Sequence, residues 1–139
     1  MRKLLLITCI MTALASGSCK KVVENQAKKA ILSAMTNGRW YVELYTATGT
    51  DISGQFTGYE FQFYEDNKVD ALYGGVTKST GGWTPDISNY TITAAFPPAA
   101  GDTLVKLNYT WKLTDSYEDY VEAKTTTSAG DNILHLRKK

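Results

Sequence analysis

Few residues of this chain have the types and spacing that chemistry needs, and the first is Cys19. It follows Ala15, Ser16, Gly17 and Ser18, a stretch of small residues. That stretch follows an apolar run over residues 4–14 and a basic start at Arg2 and Lys3. A positive start, a short apolar run and a small-residue segment are the three parts of a secretory signal. The run is too short to span about 30 Å of hydrocarbon, which takes about 20 apolar residues, so residues 1–18 are expected to be removed. Cys9 leaves with them, and Cys19 is then the single cysteine, which excludes an internal disulfide and a cysteine metal site. A lone exposed thiol is a liability in an oxidising compartment. An acylated one is an anchor: a single acyl chain binds a membrane marginally, several bind it stably.

The other reactive residue types are sparse. His135 is the one histidine, near the end of the chain, with no serine, cysteine or aspartate signalled as its partner. A metal site normally needs several ligands, and a solvated strand histidine is the better reading. Asp115, Glu118 and Asp119 form an acidic cluster without the spaced oxygens and the glycine of a calcium loop; a solvated hairpin turn explains them. Asn89-Tyr90-Thr91 and Asn108-Tyr109-Thr110 match the N-glycosylation sequon, and Asp102-Thr103-Leu104 resembles an O-glycosylation signal of some Gram-negative periplasms, which makes Thr103 a candidate modification site. No nucleophile–base pair, no cofactor motif and no metal-ligand spacing can be read, so no enzymatic activity is expected.

Charge narrows the partners. The chain carries 15 basic and 14 acidic residues; without Arg2 and Lys3 the balance is one negative charge, with no long run of either sign. Nucleic acid needs a basic footprint that is missing here. Lys20 and Lys21, beside the expected anchor, could touch anionic lipid.

The elements that must position any site are strands. Aromatic residues make up 12% of the chain, and with the frequent threonine they favour strands. Residues 22–35 form the exception: Val23, Ala27, Ala30, Ile31 and Ala34 recur at spacings of three and four, which predicts a short amphipathic helix ended by Asn37-Gly38. After Gly38 the period is two. About eight short strands follow, near residues 40–45, 56–64, 69–73, 76–83, 90–96, 109–113, 117–126 and 132–137. Turns separate them, among them Pro85-Asp86, and residues 102–108 stay open between a helical turn and an early strand. No connection is long enough for a crossover helix, so the sheet should be antiparallel. The fold class expected is all-β: an eight-stranded antiparallel up-and-down barrel over residues 39–139, preceded by a tether and short helix over 19–38. A sandwich is the alternative.

Parts of the sequence resemble two known families. The small residues before Cys19 resemble the lipobox of bacterial lipoproteins, with Ser16 where a leucine is usual. The resemblance implies acylation of Cys19 and cleavage after Ser18. Gly38-Arg39-Trp40 at the start of the first strand resembles the Gly-x-Trp signature of lipocalins. The wider pattern, with Phe56-Thr57-Gly58-Tyr59-Glu60-Phe61, Gly81-Gly82-Trp83, Tyr109-Thr110-Trp111 and Leu134-His135-Leu136-Arg137, resembles the small lipocalin-like lipoproteins of Gram-negative bacteria. It implies a barrel whose end is closed by Trp40, with Arg137 packed over the indole.

If the Trp40 face points inward, then Trp40, Phe61, Phe63, Tyr90, Phe96 and Trp111 converge. They would either line an apolar pocket or form a plain core, since eight strands leave room for little more than side chains. The first reading is a membrane-anchored module for a small apolar or amphipathic ligand. The second is a solid structural barrel that docks a protein partner on outer tyrosines (Tyr45, Tyr64, Tyr109 and Tyr120). An outer-membrane lipoprotein facing the periplasm is expected, because Lys20-Lys21 stands where acidic surface-export residues occur in some lipoproteins.

Overall fold

The computed structural model describes residues 15–139, with side chains from Asn25 onward. The expected signal run and the Cys19 side chain lie outside the described residues. Helix α1 covers Ala15–Thr36, so it starts before the expected residue 22 and passes through the expected cleavage boundary. None of the described helices is long and apolar enough to cross a membrane.

The strands are β1 (Trp40–Ala47), β2 (Thr50–Asp51), β3 (Tyr59–Phe63), β4 (Lys68–Tyr73), β5 (Val76–Asp86), β6 (Thr91–Ala95), β7 (Thr110–Ser116), β8 (Tyr120–Thr127) and β9 (Gly130–Lys138). Each pairs antiparallel with its neighbour, and β1 pairs with both β3 and β9. That double pairing closes a barrel of eight strands and removes both open edges. The two-residue β2 folds back on β1 alone. The expected up-and-down barrel is therefore the observed fold.

The seam between β1 and β3 is narrow, and the barrel closes through the longer pairing of β1 with β9. The β1–β3 register holds one Cα pair, Trp40 opposite Phe61. Farther along, the β1 edge is satisfied by the loop: Ile52 N–H donates to Tyr45 O at 2.8 Å and Tyr45 N–H donates to Ser53 Oγ at 2.8 Å. Phe56, at the end of a 3-10 turn over Ser53–Phe56, is buried behind it. An exposed ladder edge would invite pairing with another chain, and this loop covers it.

A β-bulge in β1 changes which side chains face inward. The pairing with β9 slips between Val42 and Leu44. Trp40 and Val42 face the core as alternation demands, but after the extra residue Tyr45 turns inward and is 1% exposed. A bulge inserts one residue and so reverses the phase of everything after it. Tyr45 is thus a core residue, which corrects its assignment to the outer surface. Tyr90 is the opposite case. Although it shares the phase of Ile92, it lies in the turn before β6 with φ of +52° and is 58% exposed. The left-handed turn rotates its side chain out before the strand begins.

Two loops also differ from expectation. Pro85 and Asp86 continue β5, opposite Ile92 and Thr91, instead of forming a turn. The pairing of β4 with β5 ends at Lys68 and Gly82, so Pro85 lies past the end of β4, where its missing N–H deprives no ladder. Residues 102–105 form a short helix, α2 (Asp102–Val105), resolving the open alternative in favour of helix. Leu104 of α2 and Leu107 just beyond it are buried in the core.

The two ends of the barrel are closed differently. At one end, Leu104 and Leu107 of the connection from β6 to β7 and Phe56 of the 3-10 turn are buried in the core. At the other, α1 lies across the mouth, with Met35 buried and Ile31 and Leu32 packed on the core. The last carbonyls of α1 are caught by barrel side chains. Trp40 Nε1 donates to Met35 O at 3.0 Å, Lys138 Nζ to Ala34 O at 2.9 Å and Gln62 Nε2 to Thr36 O at 3.2 Å. These carbonyls have no partner within the helix, so the bonds fix its C-terminal turn on the barrel. Gly38, with φ of +96°, supplies the left-handed residue that turns the chain from helix to strand.

Candidate functional site

The barrel interior is nearly full. Five of the six aromatic residues expected to converge do so: Trp40, Phe61, Phe63, Phe96 and Trp111 are buried, and Tyr90 is not. Trp83, absent from that expectation, is 1% exposed and stands edge-on to Phe63 at 5.1 Å between centroids. Its sequence signal was the preceding Gly81-Gly82. A Cβ on Gly81 would lie 2.7 Å from Ala95 O and 2.8 Å from the Phe96 ring, so only glycine lets β5, β6 and Phe96 come this close. Each buried indole N–H has a carbonyl partner: Trp40 with Met35, Trp83 with Tyr64, Trp111 with Leu107. No described buried side-chain polar atom lacks a partner.

What remains inside is an apolar cavity of about 50 Å³ near Phe61, Trp83, Trp111 and Leu134. Ligand pockets generally measure about 300–1,000 Å³. The interior alone is too small for a lipocalin-sized guest.

A larger space opens beside it. Between α1 and the β7–β8 hairpin runs a groove of about 250 Å³. Ala30, Ile31 and Ala34 of α1 form one wall, and Ser116, Tyr117 and Glu118 form the other. Its floor is Met35, Ile92, Leu113 and Val121, and these same four residues line the interior cavity. The groove thus ends on a thin apolar partition, with Met35 the one flexible side chain in it. It arises because α1 packs through its last two turns and then departs from the rim, where Asn25, Gln26, Lys28 and Lys29 are exposed.

Position decides the barrel-end pair. Lys138 stands opposite Trp40, and Arg137 opposite Tyr41. Alternation therefore sends Lys138 to the Trp40 side, where Nζ lies 5.0 Å from the indole centroid. Arg137 points outward, paired with Glu43 at 2.8 Å and lying 4.8 Å over the Tyr120 ring. The basic residue that covers the indole is Lys138, which corrects the expected Arg137.

His135 sits on the outer face of β9. Its Nε2 is 3.6 Å from Glu122 Oε2, and Tyr120 stands edge-on to the ring at 5.6 Å. Glu122 also accepts from Thr114 Oγ1 at 3.0 Å and Tyr120 OH at 3.1 Å. Burial and then the Glu122 bond push the Tyr120 hydroxyl above its ordinary pKa. This is a half-buried polar network with no cleft around it. Among the described residues, no group of three or more His, Cys, Asp or Glu could hold a metal ion.

The remaining candidates are dispersed. Thr103 is half-buried in α2, not in an open loop. Asn108 pairs both amide atoms with the Phe96 backbone, at 2.6 and 2.9 Å, so a glycan there would break a structural bond. Tyr64 follows β3, Tyr109 precedes β7 and Tyr120 opens β8, while Tyr45 is buried.

The geometry defines a small closed meander barrel with a helix laid over one mouth. Among solved structures it is similar to the crystal structure of a DUF4847 family protein from Bacteroides vulgatus. The TM-score is 0.58 at 12% identity, over 78% of this chain and 97% of that chain. At that identity the likeness shows the fold alone. No protein-family model and no curated protein matches the chain.

Proposed function

We propose that this protein is a membrane-anchored, lipocalin-like lipoprotein that binds a small apolar or amphipathic molecule, and that the ligand enters through the groove beneath α1. One observation carries the reading: the groove and the interior cavity share Met35, Ile92, Leu113 and Val121. An apolar chain lying in the groove would press on Met35, an unbranched side chain that readily changes shape. Moving it would join the two spaces. No catalytic role is part of this reading.

In the same reading, acyl chains on Cys19 tether α1 to the periplasmic face of the outer membrane. The helix that carries the anchor is then the helix that covers the mouth. Labelling cells with radioactive palmitate should mark the wild-type chain and leave Cys19→Ser unmarked; an unmarked wild type would remove the tether.

Native mass spectrometry of the purified full chain tests the binding. A co-purified apolar mass, lost in Leu113→Trp and Val121→Trp variants that fill the groove, supports it. A barrel that carries no such mass and instead captures a single protein overturns it in favour of a partner-docking role.

A further inference from the structure

We infer that the groove selects amphiphiles whose head is a cation, an ammonium-bearing chain in preference to a carboxylate or sulfate. This rests on the groove being the binding site. The floor is apolar, and a buried charge without a partner is costly. A ligand's polar end must therefore stay at the mouth while its chain lies against Ile31, Leu113 and Val121.

The polar wall at the mouth is acidic. Glu118 lines the groove, and Asp115 and Asp119 stand one to three residues away on the same hairpin. None of the three is in an ion pair among the described residues. Of the cations on the adjoining strands, Lys112 Nζ donates to Asn89 O at 2.6 Å and faces the Tyr90 ring, while Arg137 pairs with Glu43 and also feels the Asp119 charge, which leaves Glu118 as the carboxylate of the groove wall. Lys28 and Lys29 on α1 are exposed.

An aromatic ring stands beside the carboxylate. Tyr117 is 63% exposed and steadied by Tyr120, stacked at 6.4 Å. A carboxylate with a free aromatic face is the combination that attracts an ammonium, through charge and through the ring quadrupole. The same wall repels an anionic head.

The test is a titration of the purified full chain with three decyl probes below their micelle concentrations: decyltrimethylammonium, decyl maltoside and decyl sulfate. Tryptophan fluorescence reads binding. The ammonium should bind about five-fold or more tightly than the maltoside, and the sulfate more weakly than both. In Glu118→Gln the ratio of ammonium to maltoside affinity should fall by about three-fold or more. High salt should reduce it similarly. Sulfate binding as tight as ammonium, or a variant that weakens all three probes equally, overturns the head selectivity while leaving the groove in place. Binding of none of the probes overturns the groove reading itself.

Discussion

Lys138 Nζ lies 5.0 Å from the centre of the Trp40 indole and donates to Ala34 O at 2.9 Å. One side chain therefore joins the first strand, the last strand and the helix that covers the mouth. The indole contributes from the other side, donating its own N–H to Met35 O. The β1–β9 pairing and the seat of α1 thus share Lys138 and Trp40.

Replacing Lys138 by Ala should accordingly destabilise the protein by about 1–2 kcal/mol, the size of a charge-assisted bond plus a partly exposed cation–π contact. Amide exchange should quicken in the last turn of α1. Arg137→Ala, which removes an outer-face ion pair, should cost less and leave the α1 amides unchanged. Urea unfolding and hydrogen exchange read both; equal effects of the two variants would contradict the assignment.

Tyr45 gives a pH signature. Its hydroxyl donates to Lys106 O at 2.5 Å, and burial, then the nearby Tyr109, push its pKa from 10.0 up to about 12. In this range the unfolded chain loses the proton before the folded one does. The stability from neutral Tyr45 is full below pH 10 and is lost as pH rises from 10 toward 12. The loss should be about 2–3 kcal/mol. Tyr45→Phe should cost about 1 kcal/mol at neutral pH and show a smaller decline over that interval. Denaturation midpoints of both proteins from pH 8 to pH 12 provide the comparison.

Gly81→Ala should destabilise by about 1–3 kcal/mol through overpacking, because the new Cβ would meet the Ala95 carbonyl and the Phe96 ring. Gly54→Ala, whose Cβ has nothing within 4 Å, should be near neutral. A thermal melt of each variant is sufficient, and equal melting temperatures would remove the argument for close approach at Gly81.

Met35→Ala should do two things at once. Truncating a buried methionine costs about 2–5 kcal/mol, and here it should also merge the interior cavity with the groove. Affinity for an apolar probe should rise although stability falls. Urea unfolding and decyl maltoside titration measure the two separately; a fall in both would mean that Met35 holds the groove together and does not partition it.

The strands were legible because alternation survives in them: Phe61 and Phe63 in β3, Val69 and Ala71 in β4, Val121 and Ala123 in β8 all point where a period of two puts them. Short connections left an antiparallel meander as the economical topology, and closure follows from β1 pairing with β9. Tyr45 was not legible, since a bulge leaves no mark in residue types. Neither was Tyr90, whose phase is right but whose backbone is left-handed. The choice of Lys138 over Arg137 needed the register of β9 against β1, which one residue of slip would reverse. The groove was hidden for a different reason. It is made by where α1 leaves the rim, a tertiary relationship between Ile31 and the Tyr117 hairpin that no local pattern encodes.

The most direct test of ligand entry beneath α1 is an intermolecular NOE experiment on the full chain with decyl maltoside. Cross-peaks are expected from the alkyl chain to the methyl groups of Ile31, Met35, Ile92, Leu113 and Val121, with those to Met35 growing as the chain is lengthened. Cross-peaks confined to outer residues such as Tyr73 and Val76, with the Leu113 and Val121 methyls silent, would contradict it.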